Sequence, residues 1–104
     1  MAQLTPQLTV VYWRDIPAQV IAKAGRKNAR IQLSERFEKA IDRAAMRAKL
    51  TGTDAYLEHW RRGAPAECGD DLEAAAEAAA RRLENDYDDA RLAALVAAGG
   101  QDSA

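Results

Sequence analysis

One cysteine, one histidine and no long apolar run are what the 104-residue sequence conspicuously withholds. With Cys68 alone, an intramolecular disulfide cannot form and zinc sites built on cysteine pairs are excluded, so a reducing compartment is expected. Met1 to Pro6 lacks a basic cluster followed by an apolar stretch, so no secretory signal is expected and the location reads as cytoplasmic. The longest apolar run, Leu92 to Ala98, is seven residues, against the roughly 20 a membrane-spanning helix needs, which sets the membrane aside. No repeat recurs at solenoid spacing, and no glycine-rich phosphate loop or dinucleotide fingerprint is present. Asp70/Asp71 and Asp86/Asp88/Asp89 are the dense acidic groups, and neither follows calcium-loop spacing. They read as solvated helix ends. No metal and no cofactor is expected.

What the chain holds in quantity is alanine and charge. Alanine supplies 24 of the 104 residues, concentrated after residue 70; as the best helix former, it makes that region read as helix. The net charge of -1 conceals a division, because residues 1 to 62 carry 12 basic and 6 acidic side chains while residues 63 to 104 carry 3 and 10. A positive segment is thus followed by a negative one. The length suits one domain, taken as residues 1–100 with 101–104 as a disordered tail, and a core of this size needs no covalent staple.

Leu8 to Trp13 is β-branched and aromatic with apolar residues on both faces, which predicts an interior strand covered on both sides. Pro17 constrains Ile16, so the second strand is expected only beyond it, at Ala18 to Lys23. Gly25 to Asn28 then turns into Ala29 to Leu33, making a hairpin with a basic tip. The period lengthens afterwards. Phe37, Ile41, Ala44 and Ala48 form one stripe of a helix capped by Ser34 and stopped by Thr51-Gly52. A second helix from Thr53 or Asp54 carries Tyr56, Leu57 and Trp60 on one side, and Ala64 to Gly69 adds at most a short strand. From Asp70 or Asp71, Leu72, Ala76, Ala79 and Leu83 define a third stripe. It weakens at Asn85 to Asp89, resumes at Arg91, and ends at Gly99-Gly100. The predicted fold is α+β: about three antiparallel N-terminal strands packed against three or four helices.

The most distinctive string is Tyr12-Trp13-Arg14-Asp15-Ile16-Pro17-Ala18-Gln19, which sets two aromatics, a charge pair and a proline at a strand end. It reads in two ways. Tyr12, Trp13, Arg14, Asp15, Pro17 and Gln19 can form an interaction surface, since aromatics and arginine dominate interface energetics. Alternatively Trp13 packs in the core, Arg14 pairs with an acid and Pro17 shapes the turn. Cys68 and His59 are the residues from which a nucleophilic pair would have to be built, and Asp70 and Asp71 work against a thiolate. Lys23, Arg26, Lys27 and Arg30, with Arg36, Lys39, Arg43 and Arg47 on one solvent face of the first helix, offer a nucleic-acid alternative. Interleaved Glu35, Glu38 and Asp42 weigh against it.

From Val10 to Val20, then through Arg36 to Met46 and Thr53 to Trp60, the chain resembles the small bacterial domain family called the virulence factor domain. That domain also occurs at one end of larger conserved virulence factor proteins carrying a NifU-like domain and helical repeats. The resemblance implies no catalytic residues, cofactor or substrate. Similar small proteins accompany folate- and corrinoid-dependent methyl-transfer enzymes, which implies an accessory role. The leading expectation is a noncatalytic interaction domain with a protein partner or a second copy of itself. A small enzyme or accessory subunit whose reactive group is Cys68 is the runner-up.

Overall fold

The structure, a computed structural model, describes residues 5–50 and 54–101. β1 (Gln7–Trp13), β2 (Ile16–Ala24) and β3 (Lys27–Gln32) form a meander, followed by α1 (Glu35–Arg47) and α2 (Asp54–Glu58). β4 (Trp60–Arg62) and β5 (Ala66–Glu67) return to the sheet before α3 (Leu72–Asp86) and α4 (Asp89–Ala97). The sheet order is β3-β2-β1-β4, with β5 also on β1, and every pair is antiparallel. The fold is α+β as expected, with five strands where about three were predicted.

β5 falls within Ala64 to Gly69, where at most a short strand was expected, and the unforeseen strand is β4. Tyr56, Leu57 and Trp60 match a helical period, yet α2 ends at Glu58 and Trp60 instead pairs with Trp13 across the sheet. That pairing is non-local and leaves no periodic mark in three residues. Pro17 also lies inside β2, contrary to the expectation that the strand starts beyond it. Tyr12 faces Pro17 while Val11 faces Gln19, so Ala18 is the extra residue of a β-bulge, a place where a strand tolerates proline. The hairpin between β2 and β3 turns on Gly25 and Arg26 alone, with positive φ at the glycine, and β3 therefore starts at Lys27.

One face of the sheet builds the core. Leu8, Val20, Ala22, Ala29 and Ile31 pack with Leu72, Ala76, Ala79 and Leu83 of α3, which lies across β2 and β3. Small alanines let this helix sit close to the sheet, which explains why the alanine-rich segment adjoins a β-branched face. α1 buries Phe37, Ala40, Ile41, Ala44 and Ala45 and packs against α4 and β2. The opposite sheet face carries Thr9, Val11, Gln19, Ile21, Lys23 and Arg62. Five of the seven residues of β1 are only half-buried, so the strand is interior in the sheet but not covered on both faces.

Two helix ends depart from expectation. Ser34 is the N-cap residue of α1 by position, but its hydroxyl and backbone N–H both donate to Glu84 of α3, at 2.8 and 2.7 Å. The residue thus ties two helices together and makes no side-chain cap. α1 ends through Lys49 in the left-handed region, φ 62, with Lys49 N–H on Met46 O and Leu50 N–H on Ala45 O. This double closure is a Schellman motif, usually completed by glycine. The expected Thr51-Gly52 stop, the Thr53 start and the 102–104 tail lie outside the described residues.

Candidate functional site

The distinctive string folds into a tight hairpin tip. Trp13 pairs with Ile16, leaving Arg14 and Asp15 as the two turn residues, and Arg14 takes φ 54, a conformation that favours glycine. Its side chain explains why arginine stands there. The guanidinium donates to Gly99 O at 2.9 Å, contacts His59 Nε2 at 3.2 Å and lies 5.2 Å from the Trp13 ring centre. The turn backbone is held as well. Arg14 N–H donates to His59 O and Asp15 N–H to Gly100 O, while Arg61 donates to Arg14 O at 3.0 Å and to Asp15 Oδ1 at 3.1 Å.

The acceptors at Gly99 and Gly100 exist because of how α4 ends. Gly99 N–H bonds to Val96 O and Gly100 N–H to Leu95 O, a second Schellman motif, with φ of 70° and 91°. Their carbonyls turn outward onto the hairpin tip. Gly100 also lies against the Trp13 ring, where a Cβ would approach Cζ3 to 2.8 Å. Trp13 is fully buried, and its indole N–H donates to Tyr56 O at 2.8 Å, which fixes the end of α2. The helix stop and the aromatic string, 85 residues apart, are two halves of one junction.

Beside the junction runs a groove of about 380 Å³ between the β1–β4 edge and the joint of α3 with α4. Tyr12, Asp15, Arg61, Tyr87, Arg91 and Leu95 line it. Arg61 stands 4.6 Å over the Tyr12 ring and Arg91 stands 3.9 Å over the Tyr87 ring. Each guanidinium is thereby prepositioned, with Arg61 also paired to Asp15.

The six residues expected at a surface separate. Trp13 and Pro17 are fully buried, Tyr12, Arg14 and Asp15 are half-buried around the junction and groove, and Gln19 lies on the opposite sheet face, next to Val11. Arg61, Tyr87 and Arg91 were not anticipated, because only the tertiary fold brings the three segments together. Nothing local in the sequence points Arg61 at Tyr12.

Cys68 and His59 do not form a pair. His59 adjoins Trp13 at one end of β1, whereas Cys68 follows β5, which pairs with Gln7 and Leu8 at the other end. Six residues of strand separate them, about 20 Å. Among the described residues, no three His, Cys, Asp or Glu side chains come together as metal ligands, and no helix is long and apolar enough to cross a membrane. The basic row of α1 is drawn partly inward: Arg36 bonds to Glu84 at 3.2 Å and to Asp89 at 3.4 Å, and Arg47 to Ala97 O. Arg36 thus meets the acidic C-terminal segment, while Lys39, Arg43 and Arg47 stay exposed.

The family described as Virulence factor matches residues 11–96, from the strand that enters the hairpin tip to the last turn of α4. The chain belongs to the Virulence factor family. No curated protein and no solved structure matches it. In this Virulence factor domain, the Arg14 and Trp13 half of the junction lies within the matched residues, while the Gly99-Gly100 half lies beyond them.

Proposed function

We propose that this Virulence factor domain is a noncatalytic protein-interaction module whose contact surface is the groove of Tyr12, Asp15, Arg61, Tyr87 and Arg91. One observation carries the reading: two arginines stand over two tyrosine rings along a single exposed groove. Tyrosine and arginine are the residue types that anchor interfaces, and side chains already held in place lose less entropy on binding. The junction of buried Trp13 and Gly100 with half-buried Arg14 supports that surface and does not itself touch the partner. Arg91 forms no ion pair among the described residues, so the favoured partner is a protein segment that offers a carboxylate. An accessory role beside methyl-transfer enzymes is a more specific form of this reading, and the family resemblance supports it.

Affinity capture from the native cytoplasm tests the proposal, with wild type compared against Arg61→Glu and Arg91→Glu together. The expected outcome is a partner retained by wild type and lost by the variant, with circular dichroism unchanged. Equal capture by a folded variant refutes it. Capture of nucleic acid that weakens steeply with salt and depends on Lys23 and Arg30 would favour the basic-hairpin alternative.

A further inference from the structure

A second cleft, independent of the groove above, lies between α1, α2 and the start of β4. It holds about 230 Å³ and is lined by Ala18, Leu33 and Ile41, by Tyr56 and Trp60, and by Gln32, Glu38 and Asp42. The floor is apolar. The walls are the two aromatic rings, set at 90° with centres 6.3 Å apart, and the rim is acidic.

Two of these features lack an internal explanation. Trp60 is 37% exposed, although a bare indole gains by burial. Glu38 and Asp42 stand four residues apart on one face of α1, where like charges repel, and neither forms an ion pair among the described residues. Elsewhere on the same helix that spacing is used favourably, with Glu35 and Lys39 at 3.4 Å. The Tyr56 phenol is pushed above its usual range, first by burial and then by the charges of Asp42 and Glu38, against a hydrogen bond from Trp60. Negative potential therefore converges on an aromatic-walled space.

We infer that this cleft is a binding site for an organic cation of the alkylammonium or guanidinium type, with Trp60 and Tyr56 facing the cation and Glu38 and Asp42 neutralising it. A cation over aromatic rings is attracted by their quadrupoles, more strongly where water is partly excluded, and two carboxylates add charge-assisted contacts. A hard divalent metal is the wrong occupant, since it needs about six oxygen ligands and gains nothing from rings. Nucleic acid is repelled by the rim. The cation can be free in solution or the end of a lysine or arginine side chain on another protein.

The test is nitrogen-15 NMR on the full chain, following the Trp60 indole N–H, which Trp60→Phe assigns. The probes are tetramethylammonium, acetyl-lysine amide, acetyl-trimethyllysine amide and acetyl-arginine amide, with tert-butanol as an uncharged control. The expected result is a saturable shift with one or more cations, and binding of tert-butanol weaker by about tenfold or more. Glu38→Gln with Asp42→Asn should weaken cation binding to a similar degree while leaving the melting temperature unchanged or raised, because a repulsion is removed. Tighter binding of the amino-acid amides than of tetramethylammonium assigns the site to a partner's side chain; the reverse assigns it to a free cation. No shift with any cation, an equal shift with tert-butanol, or undiminished binding by the folded double variant overturns the inference. None of these outcomes depends on the groove around Arg61.

Discussion

Gly100→Ala is the sharpest test of the junction between the hairpin tip and α4. Two effects act at this position. An alanine at φ 91 occupies backbone space that L side chains disfavour, at about 1–2 kcal/mol. Its Cβ would also lie 2.8 Å from Trp13 Cζ3 and 3.4 Å from Ala44 Cβ, and overpacking of this kind adds about 1–3 kcal/mol. Trp13 cannot retreat easily, because it is fully buried and its indole is tied to Tyr56 O. The combined loss of about 2–5 kcal/mol is a large fraction of the stability of a small domain and lowers the melting temperature by about 10 °C or more. Two controls grade the effect. Gly99→Ala meets only Arg14 and Ala48 at 3.4 and 3.5 Å and should lose chiefly the backbone share, while Gly69→Ala meets nothing within 4 Å and should be near neutral. Urea unfolding followed by circular dichroism measures all three. A double-mutant cycle with Trp13→Phe should show coupling, because the smaller ring relieves the clash. A Gly100→Ala loss under about 0.5 kcal/mol, or one no larger than that of Gly69→Ala, refutes the reasoning.

Three further outcomes follow from the packing. Lys49→Gly should raise stability by about 0.5–1 kcal/mol in urea unfolding, since Lys49 holds φ 62 at the end of α1 where glycine bears no Cβ strain. Burial opposes ionisation of Glu84, but hydrogen bonds from the Ser34 N–H and hydroxyl and the charge of Arg36 prevail and hold its carboxyl below the usual range. Its folded-state pKa is thus depressed, so this stabilisation is full above the ordinary carboxylate range and is lost as pH falls through that range. Wild type should lose more stability on acidification than Glu84→Gln, whose deficit at neutral pH is about 1 kcal/mol. Arg14→Lys should cost about 1–2 kcal/mol by denaturant titration, because an ammonium cannot reach Gly99 O and His59 together while lying over Trp13.

Much of the scaffold was legible along the chain. The stripe of Leu72, Ala76, Ala79 and Leu83 on α3, the N-cap at Asp71 and the glycine stop after α4 were readable because each depends on neighbours within one or two turns. Two errors arose where a distant segment overrode local preference. Trp60 has helical spacing from Tyr56, but pairing with Trp13 satisfies more backbone. Ser34 stands at the N-cap position as expected, but its hydroxyl turns to donate to Glu84 and accepts from no N–H of its own helix. Pro17 was misplaced for a related reason, since a bulge that accommodates proline is defined by the partner strand. Of the two clefts, the sequence singled out Tyr12 and Asp15 as candidate surface residues, but read Tyr56 and Trp60 only as a helix face and Glu38 and Asp42 only as acids among the bases of α1, and it did not point to Arg61, Tyr87 and Arg91.

The amino-acid sequence by itself determined the α+β class, the order of most elements and the division of charge, because periodicity, turn chemistry and composition are local properties. Only the tertiary structure decided what the charge division does. Part of it closes within the molecule, where Arg36 meets Glu84 and Asp89, because the α3–α4 joint packs beside the start of α1. The same packing joined Arg14 to Gly99 across 85 residues and moved Trp13 from a candidate surface to the centre of the core. A contact at that separation exists only once the sheet and four helices share one interior.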